Sequence, residues 1–285
     1  MGTQQRVGAI LWPLGRLVRA MGIGVLAGLA AGFLAGGVGS RLAMRISAIA
    51  AGPAMQGTFT ENENRVGEIT LGGTIFLVVF NGPIVGLFGG LVYIAVRSWL
   101  PRPTRWRGPA FGALLLAVFG AVIIDADNID FRLFGPPLLN VGMFAALFVL
   151  FGLVAAPLAD RADRAFPAVP PRRRPRPRTF GAYALLGMVA ILGLLPIGVA
   201  VMVGALGRGE GGAAFRLGLV LFLYLLFVPP LIRALLAFIG QGVDGASDWP
   251  GSRGSRIAVA AVLAPPVLVG LVLTMRSVSH ILAAG

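Results

Sequence analysis

Apolar residues run along this chain in long unbroken stretches, with neither the two-residue alternation of a half-buried strand nor the single stripe of a soluble amphipathic helix. Seven such stretches stand out, at residues 17–38, 74–96, 109–124, 138–157, 180–203, 215–240 and 257–274. Most approach the roughly 20 residues with which an α-helix crosses about 30 Å of hydrocarbon. A membrane β-barrel would instead show short segments of alternating polarity. The pattern predicts an all-α, polytopic helical integral membrane protein with about seven transmembrane helices. The first stretch follows or overlaps Arg6, Arg16 and Arg19. It is longer than the roughly 7–15 apolar residues of a cleavable signal, so it reads as an uncleaved span.

The polar intervals divide the chain into an N-terminal four-helix membrane part (1–158), a linker (159–179) and a C-terminal three-helix part (180–285). The linker carries the run Pro170-Pro171-Arg172-Arg173-Arg174-Pro175-Arg176-Pro177-Arg178. Such a sequence favours an extended, polyproline-like path. Its one aromatic, Phe166, lies outside the arginine run. That leaves nothing for bases to stack on and argues for a membrane-surface anchor over a nucleic-acid arm.

Charge then sets the orientation, because cytoplasmic loops are enriched in basic residues. With the N-terminus cytoplasmic and the C-terminus outside, 17 arginines and four aspartates fall on the inner side. Seven arginines and seven acids fall outside and balance, so the whole formal charge of +13 lies on one face. The basic balance therefore speaks of topology and of anionic lipid headgroups as partners, and not of nucleic acid. All 24 basic residues are arginine, the mark of a GC-rich bacterial genome. The expected location is a bacterial cytoplasmic membrane.

Composition agrees, with 57% hydrophobic and 12% charged residues and a mean hydropathy of +0.87. Soluble domains carry about 25% charged residues. The chain has no cysteine and a single histidine, His280. Thiolate chemistry, iron–sulfur clusters, cysteine-ligated zinc and bis-histidine haem are thereby excluded within one chain. No cofactor is expected.

Helix one carries Gly24, Gly28, Gly32 and Gly36, with Ala20 and Ser40 in the same register. This glycine-zipper spacing lets a second helix backbone approach closely, which is how packing drives association in lipid. An intramolecular partner is favoured over a second protomer, although a protein partner or homo-oligomer also fits.

Two outer segments are polar. In the first, Thr60 and Glu63 have capping-box spacing, and a short helix starting there would put Glu61, Arg65 and Glu68 on one face. The second runs Asp125-Ala126-Asp127-Asn128-Ile129-Asp130-Phe131-Arg132. About 27 Å of helix separates Arg107 from Asp125, which puts that carboxylate at or just under the outer boundary, where a partner is expected. Arg41 and Arg45, four residues apart, and Arg132 are the candidate partners. Together these nine residues form the expected outward-facing polar cluster. The aspartate run lacks the glycine and distal glutamate of a calcium loop, so no metal site is assigned.

Prolines interrupt several spans: Pro83 after Asn81, then Pro196, Pro229-Pro230 and Pro265-Pro266. Broken helices can line a solute path, so Asn81 and Pro83 mark a possible pathway. Yet the span centres hold almost no ionisable groups, which disfavours ion coupling. Nucleophile-elbow, zinc and phosphate-loop motifs are absent. The sequence therefore points to a non-enzymatic component binding lipid or a partner protein through the glycine helix and the outer cluster. A channel or transporter is the alternative, and an envelope-side enzyme using the outer aspartates a weaker one.

Overall fold

The computed structural model describes residues 3–60, 65–101, 104–166, 177–206, 211–239 and 253–284. These residues are helical almost throughout, and the only strand-like pairing among them is an isolated bridge between Phe59 and Arg65. The first rod is continuous from α1 (Thr3–Ala31) through a π-helical segment (Gly32–Gly39) into α2 (Ser40–Ala50). The second joins α3 (Leu71–Ile75), a π-helical segment (Phe76–Asn81) and α4 (Gly82–Val96). Then follow α5 (Thr104–Ile123), the short α6 (Asp130–Leu133), α7 (Pro137–Ala165), α8 (Pro177–Leu206), α9 (Gly211–Ile239) and α10 (Arg253–Ala284).

Among the described residues six helical stretches are long and apolar enough to cross a membrane. They are Gly15–Ala50, Leu71–Val96, Arg105–Ile123, Pro137–Ala165, Phe215–Leu236 and Ile257–Ala283. The chain is thus an all-α, multi-pass membrane protein. The remaining expected span falls on α8, whose described apolar part, Ala184–Pro196, is shorter.

The prolines bend the sequence expectation in an informative way. Helices α8, α9 and α10 run without interruption through Pro196, Pro229-Pro230 and Pro265-Pro266, so these residues do not break their spans. A proline removes one backbone donor, and local adjustment within a packed bundle absorbs the loss. Pro83 lies inside the continuous second rod, just after the π-helical segment gives way to α4. The wider π turn just before it gives the proline ring room.

Close backbone contacts fix the direction of each helix against its neighbours. A Cβ built on Gly24 would lie 2.9 Å from the Gly90 carbonyl oxygen, one on Gly28 2.9 Å from Gly90 Cα, and one on Gly32 2.7 Å from Gly86 Cα. Rising numbers on α1 meet falling numbers on α4, so the two rods are antiparallel. Helices α5 and α7 pair the same way: Gly108 meets Gly152 (3.0 Å to its oxygen) and Gly112 meets Phe148 (2.6 Å).

Two other pairs are parallel. On α8, Gly187 faces Val18 and Gly193 faces Val25. Between α5 and α10, Val118 packs on Gly270 and Gly120 on Thr274, while Ile124 and Ile281 share a further apolar cluster. Gly218 near the start of α9 meets Val122 near the end of α5, so α9 runs back the other way. The main core lies where α1, α4, α5, α7 and α9 converge, around Ile23, Leu91, Tyr93, Phe111, Phe151 and Leu225. Large apolar side chains facing outward, such as Phe76, Ile191, Leu231 and Val272, give the bundle a surface suited to lipid.

Candidate functional site

The bundle has two polar ends. One, the basic end, gathers Arg19, Arg97 and Arg107 around the end of α7. The other, the capped end, is built by α2, residues 51–60 and 65–70, and the segment from Asp125 to Asn140. About 30 Å of helix, the thickness of a hydrocarbon core, separates Arg19 from Gly39, and Arg41 and Arg45 follow just beyond it.

A single buried amide organises the capped end. Asn140, 2% exposed, accepts a hydrogen bond from the Ser47 hydroxyl at 2.6 Å. Its Nδ2 donates to the Phe134 carbonyl at 2.7 Å and makes a longer contact of 3.4 Å to the Phe131 carbonyl. One side chain thus ties α2, α6 and α7 together. Gln56 Nε2 donates to the Ala48 carbonyl at 2.7 Å and folds the following turn back on α2. Asn140 is the one strongly polar residue in the apolar stretch 138–157, and that isolation was the signal that could have found it.

The described members of the expected polar cluster share this end, where Arg45 and Arg132 reach backbone carbonyls. Arg45 Nη1 donates to the Gly67 carbonyl at 3.0 Å. The Arg65 guanidinium stands over the Phe59 ring, 5.4 Å from its centroid. Arg132 Nη2 donates to the Ala126 carbonyl at 2.7 Å, while its Nε is buried with no hydrogen-bond partner. Arg41 Nη2 is likewise buried without one. Arg41 stands between Gly37, which meets Val78 on the second rod, and Arg45, which meets Gly67 in the turn before that rod.

The aspartates shape their own loop. Asp125 Oδ1 accepts from the Asp127 N–H at 3.1 Å, and Asn128 Oδ1 from the Asp130 N–H at 2.9 Å, after which Asp130 opens α6. Asp127 is exposed and Asp125 half-buried. Glu61 lies outside the described residues. The helix expected from Thr60 does not extend through Arg65–Glu68: the chain turns there, with Gly67 at φ 83° and the Glu68 N–H donating to the Arg65 carbonyl at 3.2 Å. A left-handed residue cannot continue a helix. The cap that does form is Thr70, whose hydroxyl accepts from the Gly73 N–H at 3.2 Å and starts α3. Glu68 is exposed.

Asn81 ends the second π-helical segment and is exposed on the flank of the bundle, while Pro83 is half-buried. The helix-one glycines lie against α4. A Cβ on Gly82 would stand 2.7 Å from the Gly32 oxygen, and Gly36 comes nearest to Gly82 Cα at 3.2 Å.

The basic end holds a second network that sequence reasoning reduced to loop charge. Arg19 Nη1 lies 2.9 Å from Asp163 Oδ1, an ion pair by distance although the angle is poor for a hydrogen bond. Arg19 Nη2 donates to the Asp163 carbonyl at 2.8 Å and Nε to the Phe166 carbonyl. Those are open carbonyls of the last turn of α7, so α1 caps α7. Arg97 Nη1 binds the other Asp163 oxygen. Arg107 pairs with Asp160 at 3.7 Å and donates to the Pro101 carbonyl at 3.3 Å.

Both ends are thus rich in guanidinium donors, the chemistry of phosphate and carboxylate recognition. Among the described residues no three of His, Asp and Glu group closely enough to hold a metal ion. Compared with protein-family models, with curated proteins and with solved structures, the chain matches none.

Proposed function

We propose that this chain is a seven-span component of a bacterial cytoplasmic membrane that works by binding, with the capped end as its surface for a lipid or a partner protein. The observation that carries this reading is the pair of buried guanidinium nitrogens, Arg41 Nη2 and Arg132 Nε, left without acceptors in a cap that is otherwise cross-linked. A buried unsatisfied donor costs about 1–3 kcal/mol, more on a charged group, and an anionic acceptor on a bound molecule would recover it.

Helix directions support the seventh crossing. Helix α8 starts beside α1 and runs parallel to it, and α10 runs parallel to α5. If α8 did not cross, α10 would run against α5. An N-terminus in the cytoplasm follows from the arginine balance. Single cysteines at Pro175→Cys and Asn128→Cys test it: an impermeant thiol reagent added to intact cells should reach the second alone, and labelling of the first would reverse the orientation.

A transport path along Asn81 and Pro83 draws less support, because Asn81 faces outward and the neighbouring glycines are closed backbone against backbone. Catalysis at the outer aspartates draws less still, since Asp125 spends a side-chain oxygen on the turn of its own loop. Mass spectrometry of native-membrane particles separates these readings. A lipid or protein that accompanies the wild type should be lost from Arg41→Gln, and from the triple change of Asp125, Asp127 and Asp130 to Asn. Identical companions in all three samples would remove the capped end as a binding surface.

A further inference from the structure

Asn81 is a polar residue inside an apolar span that no other part of the described chain covers. It follows Leu71 by about 15 Å of helix and precedes Val96 by about 22 Å, so neither end of the span lies near it. Its neighbour Gly82 lies against Gly32 and Gly37 of the first rod, between the levels of Arg19 and Arg41. Asn81 is exposed, and among the described residues its side chain makes no hydrogen bond. A primary amide carries two N–H donors and an acceptor oxygen. Acyl chains offer it no partner, and a polar side chain at that depth calls for one from protein.

The surface around it is open. The early part of the second rod, α3 and the π-helical segment, packs chiefly on the first rod and on α4. Gly82 and Gly86 take up the side against α1, which leaves Asn81 exposed with Phe76, Phe80 and Ile84 around it. An apolar flank alone would be satisfied by lipid; the amide is what distinguishes this one.

We propose that this flank is the contact face of a dimer of the chain, closed by reciprocal hydrogen bonds between the Asn81 amides of two copies. All copies insert in the same direction, so a two-fold axis relating them runs along the membrane normal and brings identical residues together at one depth. An amide suits that position because it pairs with its own copy: each Nδ2 donates to the other Oδ1. A charged side chain there would repel itself. Phe80 and Ile84 of each copy would pack about the pair and keep it from lipid. The dimer goes beyond binding at the capped end, since it uses membrane-embedded residues on another surface.

The test reconstitutes the full chain, carrying one fluorophore at its N-terminus, in liposomes and counts copies by stepwise photobleaching across lipid dilutions. The wild type should form dimers that dissociate on dilution. Asn81→Leu should raise the dissociation constant about tenfold, the order expected for a pair of interhelical hydrogen bonds in lipid. Asn81→Gln keeps the amide and should retain most of the dimer. The chain has no native cysteine, so oxidation should link Ile84→Cys into dimers and leave Ile191→Cys, on the exposed side of α8, unlinked. A wild type that is monomeric at every dilution, an Asn81→Leu variant that dimerises equally well, or linkage of Ile191→Cys as ready as that of Ile84→Cys overturns the dimer. A lower melting temperature of Asn81→Leu in monomeric detergent solution would assign the amide to the fold instead. Capture of Ile84→Cys by a different protein in native membranes, with the purified chain monomeric, would overturn a second copy as the occupant.

Discussion

Ser47 and Asn140, 93 residues apart in sequence, meet through a 2.6 Å hydrogen bond, and this contact closes the capped end. The amide is saturated on both sides: its oxygen accepts from Ser47 and its nitrogen donates to the Phe134 carbonyl. Asn140→Ala should therefore destabilise the protein by about 1–3 kcal/mol, the cost of leaving buried partners unpaired. Asn140→Asp should be no milder, because an ionised carboxylate cannot donate to Phe134. Ser47→Ala should cost less, about 1 kcal/mol. Thermal unfolding in detergent of the two alanine variants and their double variant measures the coupling; strictly additive losses would mean that the pair does not act as a unit.

The glycine face makes a sharper contrast. A Cβ at Gly86 would fall within contact distance of the Gly28 oxygen and Gly32 Cα on the facing rod, whereas one at Gly142 on α7 meets nothing within 4 Å. Gly86→Ala should destabilise by at least the ~1–3 kcal/mol of an overpacked core. Gly142→Ala should be neutral or stabilising by up to about 1 kcal/mol, because alanine is the better helix former. Equal melting temperatures for the two variants would contradict the close approach of α1 and α4.

At the basic end, Asp163 holds Arg19 and Arg97 at once. Asp163→Asn keeps the shape and removes the charge, and should cost about 1–2 kcal/mol, in the range of hydrogen bonds to charged groups. The carboxylate is partly exposed, so the loss should shrink as salt rises. Melting curves at low and high ionic strength check this, and a loss that is the same at both would assign the effect to geometry rather than charge.

Six spans were legible in the sequence because lipid imposes one rule, continuous apolar length, that needs no knowledge of neighbours. The polar ends were less so. Asp125 was readable as a boundary residue from its distance along a helix from Arg107, with Arg41, Arg45 and Arg132 as its candidate partners. Their acceptors, such as the Gly67 and Ala126 carbonyls, are backbone groups that carry no sequence signature. Glu68 and Arg65 were expected on one helical face, but the positive φ of Gly67 turns the chain between them. Asn140 and Asp163 act only because distant segments reach them, Ser47 in one case and Arg19 and Arg97 in the other. Such partnerships depend on helix directions, which the pattern of apolar positions does not contain.

The contact between α1 and α4 has one more consequence. Its facing residues, Gly24, Gly28 and Gly32 against Gly82, Gly86 and Gly90, have no rotamers, so the two rods join without losing side-chain entropy there. What selects the partner is then shape alone: the face accepts a bare backbone and excludes anything larger by volume, and no repacking of flexible groups can relax that choice.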